Sequence, residues 1–168
     1  MDIKALFKIS YGLYVVSANE NGKDNGCIIN TFSQVTDTPL RVSVTVNKLN
    51  LTHDMIKNTG NFVVSVLSTS APISAFQNFG FRSGKDADKF EGVRTRRCEN
   101  GVLRLDENTN AFVSGKVVEE VDLGTHTMFI ADVVEAEILS SEESVTYSYY
   151  HPRLYLVSPA ITSLGRDA

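Results

Sequence analysis

The hexapeptide RVSVTV, Arg41 to Val46, sets Val42, Val44 and Val46 on one side of an extended chain and Arg41, Ser43 and Thr45 on the other. Such period-two alternation suits a strand that buries one face. Strands of this kind are expected over Tyr11 to Ala18, Gly26 to Val35, Asn61 to Ser68, Ala111 to Val121, Thr125 to Leu139 and Leu154 to Ser158. Turn residues separate them. NENGKDNG, Asn19 to Gly26, reads as a hairpin loop, and DLG, Asp122 to Gly124, as a tight connection between two long strands. Consecutive strands with few helices between them argue for an antiparallel barrel or sandwich and against a doubly wound parallel sheet.

Two short helices interrupt the pattern. In LTHDMIKNTG, Thr52 is the expected N-cap, Leu51 and Ile56 form a hydrophobic staple, Asp54 lies in the first turn and Gly60 follows the end. In STSAPISAFQNFG, Ser70 is the expected cap, Pro72 lies in the first turn, Phe76 and Phe79 mark the buried face and Gly80 terminates. The polar, glycine-punctuated stretch from Phe81 to Gly101 then reads as a long loop, of the sort that covers a functional feature.

At 168 residues the chain is long enough for one substantial core, and a single domain over 1–168 is expected. Net charge is -4, and the densest basic cluster, Arg94, Arg96 and Arg97, fits a solvated edge or a partner contact, so nucleic acid is not an expected partner. Cys27 and Cys98 form no CxxC pair and have no metal-site spacing. They read as reduced thiols of a cytoplasmic protein, with no metal centre. No leader-like N-terminus and no apolar run of about 18 residues is present, so no membrane partner is expected.

Chemistry is bounded as much by what is missing. There is no GxSxG elbow, the three histidines His53, His126 and His151 lie in different segments, and no GxGxxG follows a strand. What remains is a strand carrying Asn30, Thr31, Ser33 and Gln34, four uncharged hydrogen-bonding side chains, followed by Asn47, Lys48 and a helix opening at Thr52. Helix-terminal amides with a hydroxyl and an ammonium nearby suit a phosphate group. Neutral amides and hydroxyls suit a planar heterocycle, where an unpaired buried charge would be costly. Together they imply a flat cofactor bearing a phosphate.

GLYVVSA, GCIINTFSQVTDTPLRVSVTVNKLNLTHDMI, NFVVSVL, SGKDADKF and LGTHTMFIADVVEAEIL, in that order, resemble the flavin reductase-like family of FMN-binding split barrels. The resemblance runs from Lys8 to Tyr155. It implies a mainly β, antiparallel Greek-key split β-barrel with short helices, working as a homodimer with FMN near the subunit interface. By position, Asn30, Thr31, Phe32, Ser33 and Gln34 would line the isoalloxazine and ribityl chain. Asn47, Lys48, Thr52 and His53 would serve the ribityl and phosphate end, with Lys85 and Lys89 as further phosphate or loop-closing contacts. His126 would lie on the nicotinamide side. The implied activity is an NAD(P)H-dependent flavin reductase that passes electrons to a flavin or to a protein such as rubredoxin, with the flavin and no catalytic side chain doing the chemistry. The resemblance extends to flavoredoxin and to a flavin module fused to rubredoxin, although two cysteines cannot supply the four-thiolate iron site. Two alternatives stay open: an FMN electron carrier reduced by a protein partner, and a non-catalytic ligand-binding barrel. Tyr149, Tyr150 and Tyr155 are expected to pack, and His151 is given no role.

Overall fold

Seven strands form one antiparallel sheet: β1 (Tyr14–Glu20), β2 (Lys23–Ile29), β3 (Phe32–Asp37), β4 (Leu40–Asn47), β5 (Asn61–Leu67), β8 (Thr109–Asp122) and β9 (His126–Ile138). Their order in the sheet is β2-β1-β5-β8-β9-β4-β3. The remaining two, β6 (Thr95–Arg97) and β7 (Leu103–Leu105), pair with each other. The computed structural model describes residues 1–150, so the strand expected at Leu154 to Ser158, with His151 and Tyr155, lies outside the described residues.

The long β8–β9 hairpin divides the sheet. β8 pairs with β5 only from Thr109 to Lys116, and β9 pairs with β4 only from His126 to Asp132, whereas β8 and β9 face each other from Ala111 and Ile138 to Asp122 and Thr127. One half-sheet (β2, β1, β5) and the other (β4, β3) therefore share this hairpin, and bulges at Ser114/Gly115 and Val117/Glu119 bend it. β2 and β3 are consecutive in the chain yet stand at opposite edges of the sheet. Across the seam between them Tyr14 of β1 meets Phe32 of β3 edge-on, with ring centroids 5.2 Å apart. This is the split barrel the resemblance implies.

The barrel interior follows from the alternation. Val16 and Ala18, Val42, Val44 and Val46, Phe62 and Val64, and Phe129 and Ala131 point inward together. Helix α1 (Leu51–Thr59) adds Met55 and Ile56 to the same cluster. Packing here is close: a Cβ on Gly115 would lie 2.6 Å from the Phe62 ring. A second cluster on the outside of β1 and β5 is covered by helix α2 (Ile73–Phe81), through Phe76 and Phe79.

Several expectations are corrected. The strand expected over Gly26 to Val35 is broken at Asn30 and Thr31, where the chain leaves one edge of the sheet for the other. The eight-residue hairpin loop shrinks to Asn21–Gly22, both at positive φ as a two-residue hairpin turn requires, with Lys23, Asp24 and Asn25 drawn into β2. Asn50, not Thr52, occupies the N-cap of α1, and Gly60 closes it in the left-handed conformation as expected. α2 begins after Pro72 and runs through Gly80, while Ser70 donates to Glu142 instead of capping. The polar stretch after α2 contains β6.

Candidate functional site

β3 has no buried residue: Phe32 is half-buried and Ser33 to Asp37 are exposed. The uncharged polar side chains are thus not core-directed. Thr31 Oγ1 donates to the Thr45 carbonyl at 2.6 Å, Ser33 and Ser43 hydroxyls lie 3.4 Å apart, and Gln34 Nε2 reaches the Thr36 carbonyl at 3.3 Å. Phe32 opposes Val44, and Asn30 sits half-buried in the bend between β2 and β3. These local bonds leave much of the strand's hydrogen-bonding capacity open.

A cleft of about 240 Å³ lies where the start of α1, β2 and the end of α2 meet, lined among others by Asn25, Asn50, Thr52, Arg82, Ser83 and Lys89. Asn50 makes no side-chain cap bond, so the first turn of α1 keeps amide donors free of that partner. Thr52 is fully buried, and its Oγ1 accepts from Asn25 Nδ2 at 2.9 Å. Lys89 is 4% exposed, and its Nζ donates to the Gly26 and Phe79 carbonyls at 2.9 and 3.3 Å. Burial pulls its ammonium below the ordinary lysine value. The Cys27 thiol, also in the lining, is pushed up by burial and stays protonated at neutral pH. Gly84 also lines the cleft, packed so closely on Asn25 that a Cβ there would overlap the carboxamide.

The other expected residues divide. Asn47 and His126 are brought together as ladder partners at the ends of β4 and β9. Asn47 Oδ1 accepts from the Leu49 amide, and the half-buried His126 shares a 2.8 Å bond between its Nδ1 and Thr125 Oγ1. Lys48 turns to Asp122 at 2.7 Å, and that bond holds the Asp122 carboxyl below its usual range. Lys85 is exposed and lines a neighbouring cavity of about 640 Å³ with Lys23, Asp24, Asp86 and Asp88. His53 is 4% exposed with both ring nitrogens engaged, away from the cleft lining. Asn25, Asn50, Arg82 and Ser83 were not expected at the site. Only the position of Asn50 before an apolar helical run could have flagged one of them.

The donor set can be tested against a phosphate-bearing heterocycle. A helix start without a side-chain cap beside a lysine and an arginine fits a dianion, and the uncovered, uncharged run from Thr31 to Gln34 fits a flat ring with alternating donors and acceptors. The flavin reductase like domain matches residues 6–157. The chain belongs to that family. This flavin reductase-like chain is 42% identical over 151 residues to the ferric-chelate reductase (NAD(P)H) of Archaeoglobus fulgidus, covering 90% of itself and 89% of that protein. It is 41% identical over 151 residues to the high molecular weight rubredoxin of Moorella thermoacetica, covering 90% of itself and 66% of that protein. Among solved structures, a NADH:FAD oxidoreductase of Streptomyces globisporus superposes with a TM-score of 0.78 at 22% identity, over 85% of this chain and 84% of the other. A flavoredoxin of Methanosarcina acetivorans superposes with a TM-score of 0.71 at 22% identity, over 77% and 69%.

Proposed function

We propose that this protein binds FMN, takes hydride onto it from NADH or NADPH, and passes the electrons to a second acceptor. The observation that carries this reading is an uncapped helix start in one cleft with a buried ammonium whose partners are carbonyls and not a carboxylate; the uncovered polar strand β3, none of whose residues lines that cleft, is assigned to the ring. FMN, when bound, supplies the two-electron chemistry. The chain supplies the rest. The first turn of α1 with Lys89 and Arg82 attracts the phosphate, because amide dipoles and cations both favour a dianion there. Thr31, Ser33 and Gln34 orient the ring through hydroxyl and carboxamide bonds, while Phe32 closes the seam behind it. His126, opposite Asn47, presents its Nε2 to the incoming nicotinamide, since Thr125 occupies Nδ1.

A redox-protein acceptor is the second reading, favoured by the relative named a rubredoxin. A homodimer is also part of the proposal: Val35, Leu40, Val134 and Ile138 leave β3, its turn and the far end of β9 apolar and exposed, and a second copy of the chain would cover them. Sedimentation at micromolar concentration should give about twice 18.5 kDa. The two free cysteines support a cytoplasmic setting, and no helix among the described residues is long and apolar enough to cross a membrane.

The deciding experiment is a visible spectrum of the purified protein with one equivalent of FMN, before and after NADH or NADPH under anaerobic conditions. Binding should quench flavin fluorescence, and the nicotinamide should bleach the yellow absorbance. Unquenched FMN would overturn the reading. Bleaching by a reduced protein partner but by neither nicotinamide would select the electron-carrier alternative.

A further inference from the structure

His53 stands in the first turn of α1, directly after Thr52, yet its ring points into the fold. Its Nδ1 lies 2.8 Å from Asp54 Oδ1 and its Nε2 lies 2.8 Å from Thr127 Oγ1. The ring also leans on Phe129, with centroids 5.5 Å apart. An ionised carboxylate can only accept, so in the neutral ring Nδ1 carries the proton, Nε2 accepts, and the Thr127 hydroxyl donates. The result is an Asp54–His53–Thr127 chain that ties the helix start to the opening of β9.

Thr127 is 3% exposed and follows His126 directly. In the ladder Thr127 opposes Val46 and His126 opposes Asn47. Neighbouring residues of a strand project from opposite faces, so a bond that holds Thr127 inward also fixes the side from which His126 emerges. Both ends of the tie border the proposed site: the helix start at the phosphate end, and His126 on the nicotinamide side.

We propose that His53 is a positioning residue: held between Asp54 and Thr127, its ring locks the opening of β9 to α1 and so sets His126 relative to the bound nucleotide. The role rests on the nicotinamide-side reading of His126 given above. It replaces the direct phosphate contact expected for His53, because no donor of its ring is left for a ligand. Second-layer ties of this kind hold a reacting constellation to a fraction of an ångström.

The test is a pair of substitutions. Thr127→Val keeps the shape and removes the donor, and Thr127→Ser restores it. Thr127→Val should slow anaerobic flavin reduction by NADH or NADPH about tenfold, less than the roughly hundredfold that a full 1 Å misplacement can cost, while FMN affinity measured by fluorescence stays at the wild-type value. Thr127→Ser should recover the rate. Ring 15N spectra of the purified protein should show Nδ1 of His53 carrying a proton and Nε2 accepting, and Thr127→Val should shift the His126 signals. Wild-type reduction by Thr127→Val with unmoved His126 signals would overturn the proposal, as would a proton on Nε2 of His53. Should Thr127→Val not fold, His53→Leu, which can neither accept from Thr127 nor donate to Asp54, takes its place, and loss of the wild-type rate without loss of FMN affinity is again the expected outcome. If the wild type itself is not reduced by either nicotinamide, the functional reading fails, and the ring spectra still decide the tie.

Discussion

β5 and β3 are both extended segments rich in strand-forming residues, and they are built to opposite ends. β5 lies between β1 and β8 with Phe62, Val63, Val64 and Leu67 fully buried, whereas β3 hangs on β4 alone and buries nothing fully. Their serines make the contrast plain. Ser65 is buried in β5, and its Oγ accepts from the Leu105 amide at 3.0 Å, while Ser33 at the surface has only a long contact with Ser43. Ser65 meets its partner inside the packed strand, although Ser17 of β1 and Ser114 of β8 are buried without one; the polar run of β3 is at the surface with hydrogen-bonding capacity to spare, as a ligand-facing strand requires.

The largest way to break this contrast is truncation in the core. Phe62→Ala should lower unfolding free energy by about 3–5 kcal/mol, read from urea denaturation, and Phe32→Ala on β3 by about 1 kcal/mol. Equal losses would erase the distinction between the strands.

Lys89 comes next. Lys89→Met strands two carbonyls and should cost about 2 kcal/mol at neutral pH. Burial depresses the folded pKa below the ordinary 10.5, so between the two values the unfolded chain binds more protons and stability rises with pH. The wild type should therefore gain on Lys89→Met as pH climbs toward 10.5, and a pH-independent difference in urea midpoints would refute the buried-ammonium account.

Smaller effects belong to the surface. Thr31→Ala with Ser33→Ala should leave stability within about 0.5 kcal/mol and weaken FMN about tenfold by fluorescence titration, as loss of two hydrogen bonds predicts. A stability loss with intact FMN affinity would make β3 an ordinary structural edge. Smallest of all, Lys48→Ala should change FMN affinity by less than about threefold, because its ammonium is committed to Asp122 and an exposed pair is worth little. A larger drop would move the phosphate toward the end of β4.

Alternation made most of the large sheet legible, because a strand with one face in the barrel must place an apolar side chain at every second position. It failed where neighbours and not residue types decide. Glu20, Lys23 and Asp24 look like loop, yet a two-residue turn at Asn21–Gly22 lets them pair, and Arg97 clamps Asp24 at 2.8 Å. β6 and β7, three residues each, are too short to carry a period. At the site, the uncharged strand and the helix start were readable as chemistry, but the cleft gathers Asn25, Asn50, Arg82 and Lys89 from four segments, and their meeting is a property of topology alone. Lys89 and His53 were readable as residues of interest, whereas their burial was not.

The shared β8–β9 hairpin has a further consequence. Among the described residues it is the single ladder joining the two half-sheets, and both halves wall the same interior. Neither half can peel away without wetting the apolar centre of the other, so the domain should melt as one cooperative unit. Amide hydrogens along β8 and β9 would then be the last to exchange with solvent.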